Sequence, residues 1–314
     1  AYFNLLEARS LLANAREAVD ASNDMARQTK DFFAAGKVAE SETLRAMTEQ
    51  LLWQRRAEDA QRLVARQTAG LARMLRLSFR VVLIPAEDQL FPVDLIDDSM
   101  SLEQLVAIGL SSRPELIQHD ALVQARMQQV RQENFRPFLP NVQLGASGGS
   151  FGGGQSSNFD NQGSRSDVDV LAVWELRNMG VGNLQLQRQR CSQLEQAELA
   201  VELLQDQIVT EIVEATTDVA NYRKQIEIAR QATRAANKSD DANVQRIRDA
   251  VGLPIEMLQS IRARADAQNA FSRSISDYNR AQYRLMFTLG EPPNGPVRRN
   301  IVFAEEVSRR VTAS

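Results

Sequence analysis

Leu194, Ala197, Val201, Leu204, Ile208, Ile212, Ala215, Val219, Tyr222, Ile226, Ala229 and Ala236 follow one another at steps of three and four, with Thr233 standing on the same seam. That is the period of a helix packed along its side against other helices. It predicts a helix from about Val181 to about Ile247, on the order of 100 Å long at roughly 1.5 Å per residue. Glu195, Glu198, Glu202, Arg223, Lys224 and Arg230 fall on the other faces and read as a solvated, charged exterior. A turn at Val251-Gly252-Leu253-Pro254 leads into a returning helix through Met257, Leu258, Ile261, Ala267, Phe271, Tyr278, Ala281 and Leu285, which stops at Gly290 before Pro292 and Pro293.

The first part of the chain carries a similar unit. Leu5, Ala8, Leu12, Ala15, Val19, Ala26 and Phe33 share one helical seam, with Ser22 and Thr29 filling two of its positions. Gly36 offers the left-handed conformation that ends a helix. Ser41 and Glu42 restart helical patterning through Leu44, Met47, Leu51, Ala57, Ala60, Val64, Leu71 and Met74. Gly36 and Gly252 therefore occupy equivalent turns in an internal repeat. Between the hairpins, Val81-Val82-Leu83-Ile84-Pro85 and Phe91-Pro92-Val93-Asp94 predict an extended crossing segment. Ser101 with Glu103 and Gln104 reads as a capping signature for a short helix, and Pro114 suits the first turn of another that runs to about Phe135.

Nine of the fifteen glycines lie between Gly145 and Gly182. Val142, Leu144, Ala146 and Gly148 alternate with Gln143, Gly145 and Ser147, and across a Gly/Ser/Asn loop Val168, Val170, Ala172, Trp174 and Leu176 alternate with Asp167, Asp169, Leu171, Val173 and Glu175. This predicts a β-hairpin with one apolar face. The alternation fits a transmembrane barrel strand pair and a soluble hairpin alike. The predicted fold is mainly α: two long antiparallel coiled-coil helical hairpins in an internal repeat, plus one β-hairpin. Its segments are the first hairpin (1–76), the crossing linker (77–101), a short helix and an ascending helix (102–136), the strand pair (137–180), the second hairpin (181–290) and a C-terminal tail (291–314).

Composition removes several function classes. With 314 residues, 43% hydrophobic and a net charge of -3, the chain can build a core and carries no field that favours nucleic acid. Cys191 is the single cysteine, so an intrachain disulfide is excluded. His119 is the single histidine, and no ligand cluster accompanies it, so no metal or other cofactor is expected. The run Gly148-Gly149-Ser150-Phe151-Gly152-Gly153-Gly154 lacks the Gly-Lys-Ser/Thr ending of a phosphate loop and reads as a turn. No serine, cysteine or lysine has a base at motif spacing, and no catalytic residue is expected. No stretch reaches the roughly 18 apolar residues of a membrane-spanning helix. Ala1, Tyr2, Phe3 and Leu5 already sit in helical phase with no cap or export signal ahead of them, which predicts either a cytosolic protein or a chain whose natural N-terminus lies upstream.

Taken in order, Ala1-Tyr2-Phe3, the turn Phe33-Ala34-Ala35-Gly36 followed by Leu44-Arg45-Ala46, Arg113-Pro114-Glu115-Leu116, Leu139-Pro140-Asn141-Val142, Val173-Trp174-Glu175-Leu176 with Gly180, Val251-Gly252-Leu253 and Asp277-Tyr278-Asn279-Arg280-Ala281-Gln282 through Leu289-Gly290 resemble the TolC-type outer-membrane efflux factors. The resemblance covers about residues 1–293. It implies a homotrimer in the bacterial outer membrane, with a shared twelve-stranded β-barrel and a helical tunnel in the periplasm, acting as exit duct for an inner-membrane pump joined through a periplasmic adaptor protein. It also implies that the first repeat's N-terminal half, with the export signal and first strand pair, is absent from this sequence.

On the same resemblance, Gly36, Lys37, Val38, Val251, Gly252 and Leu253 would form the adaptor-contacting tip, and Val168, Val170 and Trp174 would face lipid. Glu42 stands at the acidic position of the family's polar latch, while Asp249 replaces its tyrosine and Pro254 its arginine, so that latch is expected not to form in the usual way. The second turn is two residues short before Leu258, and Glu256 and Gln259 fall approximately on the cation-selective constriction. The rival expectation is a soluble coiled-coil scaffold whose hairpin is a surface loop.

Overall fold

The computed structural model describes residues 1–78, 81, 83–87, 89–97, 99–152, 162–175, 177–249, 251–290 and 298–299. Val82, Leu176, Gly153, Gly154 and most of the predicted tail lie outside the described residues. The element order is α1 (Tyr2–Ala34), α2 (Glu40–Met74), β1 (Val93–Asp94), α3 (Leu102–Ser112), α4 (Pro114–Phe135), β2 (Asn141–Gly152), β3 (Gln162–Val173), α5 (Val181–Arg248), α6 (Pro254–Thr288) and β4 (Arg298–Arg299). Two compact units result, one from residues 1–112 with 209–314 and one from residues 113–208, and α5 contributes to both.

The first unit contains the α1–α2 hairpin and the α5–α6 hairpin from residue 209 onward. Burial gives the order of its helices: α6 buries fifteen side chains over 35 residues, α1 eight over 33, and α2 only four over 35. Helix α6 is thus the central rod. It meets α5 through Thr233 Oγ1, which donates to the Ala267 carbonyl at 3.1 Å, and α1 through Asn14 Nδ2, which donates to Asn269 Oδ1 at 3.0 Å. The α5 seam is confirmed, with Ile208, Ile212 and Ala215 fully buried. The polar residues on the seams are hydroxyls that bond back to their own helix: Ser22 to the Val19 carbonyl, Thr29 to Met25 and Thr233 to Ala229, at 2.8–2.9 Å. A seam accepts such residues because no polar group is left orphaned.

The α2 seam departs from expectation. Leu44, Met47 and Leu51 are more than half exposed, and the side chains that α2 buries are Ala46, Glu49, Trp53 and Ala72. The helix carries a second apolar stripe at three-four spacing, and periodicity alone does not say which stripe faces the bundle. Ala46 and Trp53 join Ala18, Met25, Ile247, Met257, Leu258, Ile261 and Ala265 in one apolar cluster. That cluster draws on the later half of α1, the start of α2, the end of α5 and the start of α6, so both interhelical turns lie at the same end of the bundle.

The two turns require glycine for different physical reasons. Gly36 has φ +69 with open space around it, and the Lys37 and Gly36 amides donate to the Phe32 and Phe33 carbonyls at 2.8 and 2.9 Å. This is a Schellman end, which favours glycine for its left-handed backbone. Gly252 instead lies against the end of α5, where a Cβ would meet Ile247 N at 3.0 Å and Arg246 C at 3.1 Å. Close approach, not a positive φ, requires glycine there.

The capping signature before α3 is present: the Ser101 amide donates to Gln104 Oε1 at 2.9 Å and the Gln104 amide to Ser101 Oγ at 3.3 Å. Among the described residues of the crossing segment, the two-residue strand β1 pairs antiparallel with β4. The predicted tail thus supplies a strand.

In the second unit, α4 begins with Pro114 in its first turn and leads into the β2–β3 hairpin. The register pairs Val142 with Ala172, Leu144 with Val170 and Ala146 with Val168, so the apolar positions of both strands share one face. Before α5, Asn178 and Met179 have positive φ (49 and 57) and Gly180 follows at 91. Successive left-handed residues make a sharp reversal there, and each non-glycine one costs roughly 1–2 kcal/mol.

Candidate functional site

Three sets of residues carry functional expectations, and each sits in a distinct local setting. At the turn end of the first unit, Gly36 and Lys37 are exposed, with the Lys37 ammonium 5.9 Å from the centre of the Phe32 ring, and Val38 is half-buried. Val251 and Leu253 flank Gly252 and are exposed by 71% and 58%. Two apolar side chains are therefore held out at the tip by a backbone that is pinned from below, because the Val251 and Gly252 amides both donate to the Arg246 carbonyl at 2.9 Å. That geometry offers a small greasy knob on a rigid base.

Three of the four expected gate residues, Glu42, Asp249 and Glu256, are engaged within their own element or turn. Glu42 accepts from Arg45 on the next turn of α2 at 3.0 Å, and Asp249 accepts from Gln245 Nε2 at 3.1 Å. Glu256 accepts from the Leu253 amide at 3.3 Å, closing the start of α6, and forms an ion pair of 3.0 Å with Arg246 across the turn. Gln259 is exposed, and Pro254 is buried at the first position of α6. The structure thus gives Glu256 a capping role that periodicity did not suggest, although Glu two residues after Pro254 is a recognisable helix-start signal.

The third set is the hairpin face. Val142, Leu144, Val168 and Val170 are exposed by 59–79% on one side of the strand pair, and Trp174, just beyond the end of β3, by 60%. An isolated two-stranded hairpin is marginal in water, and a contiguous apolar face of this kind marks a surface built to be covered.

Sequence reasoning missed a line of polar bridges along α6. Arg262 bonds the buried Glu49 of α2. Arg264 joins Glu17 of α1 at 2.9 Å to Asp240 of α5 at 2.9 Å, and Ser260 donates to the same Asp240 carboxylate at 2.8 Å. Asp240 is 2% exposed. Each of these residues reads from sequence as a solvated charge, and only the spacing Ser260-Arg264, on the face next to Ile261 and Ala265, hints at burial. Arg223 was likewise placed on a solvated face but binds Asp94 and Tyr278.

Residues 105–291 match the profile of the family described as outer membrane efflux protein. Among solved structures, the chain is similar to the outer membrane protein VceC of Vibrio cholerae, with TM-score 0.75 and 15% identity over 93% of this chain and 68% of that one. It is also similar to the CmeC outer membrane channel of Campylobacter jejuni (TM-score 0.71, 15% identity, 98% and 64%) and to a membrane protein from Pseudomonas aeruginosa (0.79, 16%, 92% and 65%). The chain spans about two thirds of the length of these structures. No curated protein sequence matches it.

Proposed function

Because the chain belongs to the outer membrane efflux protein family, we propose that it serves as an exit duct: a passive channel component in the bacterial outer membrane, its helices in the periplasm, through which an inner-membrane pump discharges solutes or polypeptides. Efflux channels of this family form trimers and work with adaptor and pump partners, and we assign this chain the same homotrimeric assembly. The observation that carries the reading is the bare apolar face of the β2–β3 hairpin. Val142, Leu144, Val168 and Val170 gain about 25 cal/mol for each Å² that leaves water. Strand edges are satisfied inside a membrane only by closure into a barrel, so strands from other copies are needed beside this pair. Val168 and Val170 then face lipid and Trp174 sits near the interface, where indole rings are favoured.

The knob of Val251 and Leu253, with Gly36, Lys37 and Val38 beside it, is the surface offered to the adaptor. Glu256 lies at the narrow end of the duct, where its charge favours cations; the ion pair with Arg246 moderates that preference. Glu42, Asp249 and Gln259 complete the polar lining, with the usual latch replaced by contacts inside each helix. Cell fractionation tests the reading: the duct is recovered from outer membranes as a detergent-stable trimer, whereas a soluble coiled-coil scaffold stays in the aqueous fraction.

A further inference from the structure

A cavity of about 650 Å³ lies in the first unit, where α1, α2 and α6 meet residues 83–90 of the crossing segment. Its size is within the roughly 300–1,000 Å³ of pockets that take small organic molecules. Val64, Leu83, Leu90, Phe271 and Ile275 give it apolar walls, and Arg9 and Arg16 of α1 bring two guanidinium groups to it. Seven residues apart, the two arginines share one face of α1 and stand about 10 Å from each other along its axis. Their charge is uncommitted. Glu7 and Glu17, the acids nearest to them in sequence, are engaged by Arg280 and Arg264 of α6. Among the described residues, Arg9 and Arg16 meet no carboxylate, and Arg16 has one long hydrogen bond, 3.5 Å to Gln61 Oε1. Glu87, the carboxylate in the described lining, already accepts from the Tyr2 hydroxyl. An adjoining cavity of about 500 Å³, which shares Leu6, Glu87 and Leu90 with this one, makes the contrast: its arginine, Arg280, is bound to Glu7 and Asp277.

We propose that the larger cavity is a binding site for an amphiphilic organic anion, a molecule with an apolar body and a single carboxylate or sulfonate. The body lies against Leu90, Phe271 and Ile275, where leaving water supplies affinity. The anionic group lies between Arg9 and Arg16, whose long side chains can converge on it with charge-assisted hydrogen bonds. A neutral molecule of the same shape gains only the first contribution, and a small inorganic anion only the second. The site therefore selects for both properties in one molecule. It rests on the packing of the first unit alone and goes beyond the duct reading.

The test uses two fluorescent probes, anilinonaphthalene sulfonate and phenylnaphthylamine, which share their rings and differ in the sulfonate. Each is titrated into the full-length protein in phosphatidylcholine nanodiscs, or in buffer if the protein is recovered there, with the signal of protein-free discs subtracted. The parent is expected to bind the sulfonate at one saturable site per protomer, about tenfold or more tighter than the neutral probe, as hydrogen bonds to charged groups provide. Arg9→Gln with Arg16→Gln should bring the sulfonate down to the affinity of the neutral probe and leave the neutral probe unchanged. Ala13→Trp, which places an indole in the cavity, should abolish saturable binding of both. All three positions are exposed, so the fold tolerates the changes. The proposal is overturned if the parent has no saturable site, if the double variant keeps its preference for the sulfonate, or if Ala13→Trp binds as the parent does. Failure of the duct reading shows instead in the fraction from which the protein is recovered, and it moves none of these outcomes.

Discussion

Arg262 of α6 grips the carboxylate of Glu49 on α2 with two hydrogen bonds, the one from Nε at 2.8 Å, and Glu49 is only 8% exposed while half of the Arg262 side chain still reaches water. The pair ties the outermost helix of the first hairpin to the central rod of the second. Its chemistry is lopsided: the acid has given up its water and the base has not.

That asymmetry sets the order of the variants. Arg262→Met leaves a buried carboxylate without its partner and costs about 1–3 kcal/mol, less than the roughly 3–5 kcal/mol of a fully buried pair because solvent reaches the arginine. Glu49→Leu with Arg262→Met recovers most of the loss. Chemical denaturation followed through Trp53, 3% exposed in the adjoining apolar cluster, reads the difference.

The two turn glycines separate by substitution. Gly36→Ala costs roughly 1–2 kcal/mol through its left-handed backbone, and Gly36→Asn restores part of that because asparagine tolerates the conformation. Gly252→Ala is opposed by the α5 backbone at 3.0–3.1 Å, and Gly252→Asn makes matters worse. Thermal melts of the four variants give the pattern, and a rescue by asparagine at both turns would contradict it.

Burial, followed by the bond to Asp94, raises the Tyr278 phenol above its ordinary value, against a smaller downward pull from Arg223. A group whose folded pKa is raised contributes stability that is fully present below its unfolded pKa, about 10, and is lost as pH climbs through the folded value. The bond from Tyr278 to Asp94 therefore holds through neutral pH and loosens only in strong alkali. An absorbance titration should show a late-ionising tyrosine, and Tyr278→Phe should remove that late step.

At the turn end, Glu256 and Arg246 have opposite effects on ion preference. Glu256→Gln lowers the preference for cations in planar-bilayer recordings, and Arg246→Gln, which frees the carboxylate from its ion pair, raises it. Both changes shrink in high salt as screening shortens the reach of the charge. Equal selectivity in all three proteins would remove Glu256 from the constriction.

The long rods were legible because a three-four seam running from Leu194 to Ala236 has no reading other than a laterally packed helix. The strand pair was legible in its apolar face, and the register brought Val142, Leu144, Val168 and Val170 together as the alternation required. What stayed hidden depended on neighbours. Leu44, Met47 and Leu51 have the same period whether they face α1 or the outside, and Glu49, Asp240 and Arg223 look like solvated charges until another helix brings a partner to them. The Asp277-Tyr278-Asn279-Arg280-Ala281-Gln282 run was recognisable as a resemblance but its contacts were not, since its partners in the crossing segment lie more than 180 residues away in sequence.

The most direct measurement is the mass and location of the protein expressed from its intact gene. Outer-membrane fractions solubilised in mild detergent and weighed by light scattering should yield a trimer, and Val168→Arg with Val170→Arg on the hairpin face should abolish membrane recovery while leaving the helical signal in place. A monodisperse aqueous species, unaffected by those two arginines, would contradict the account of this chain as a membrane duct.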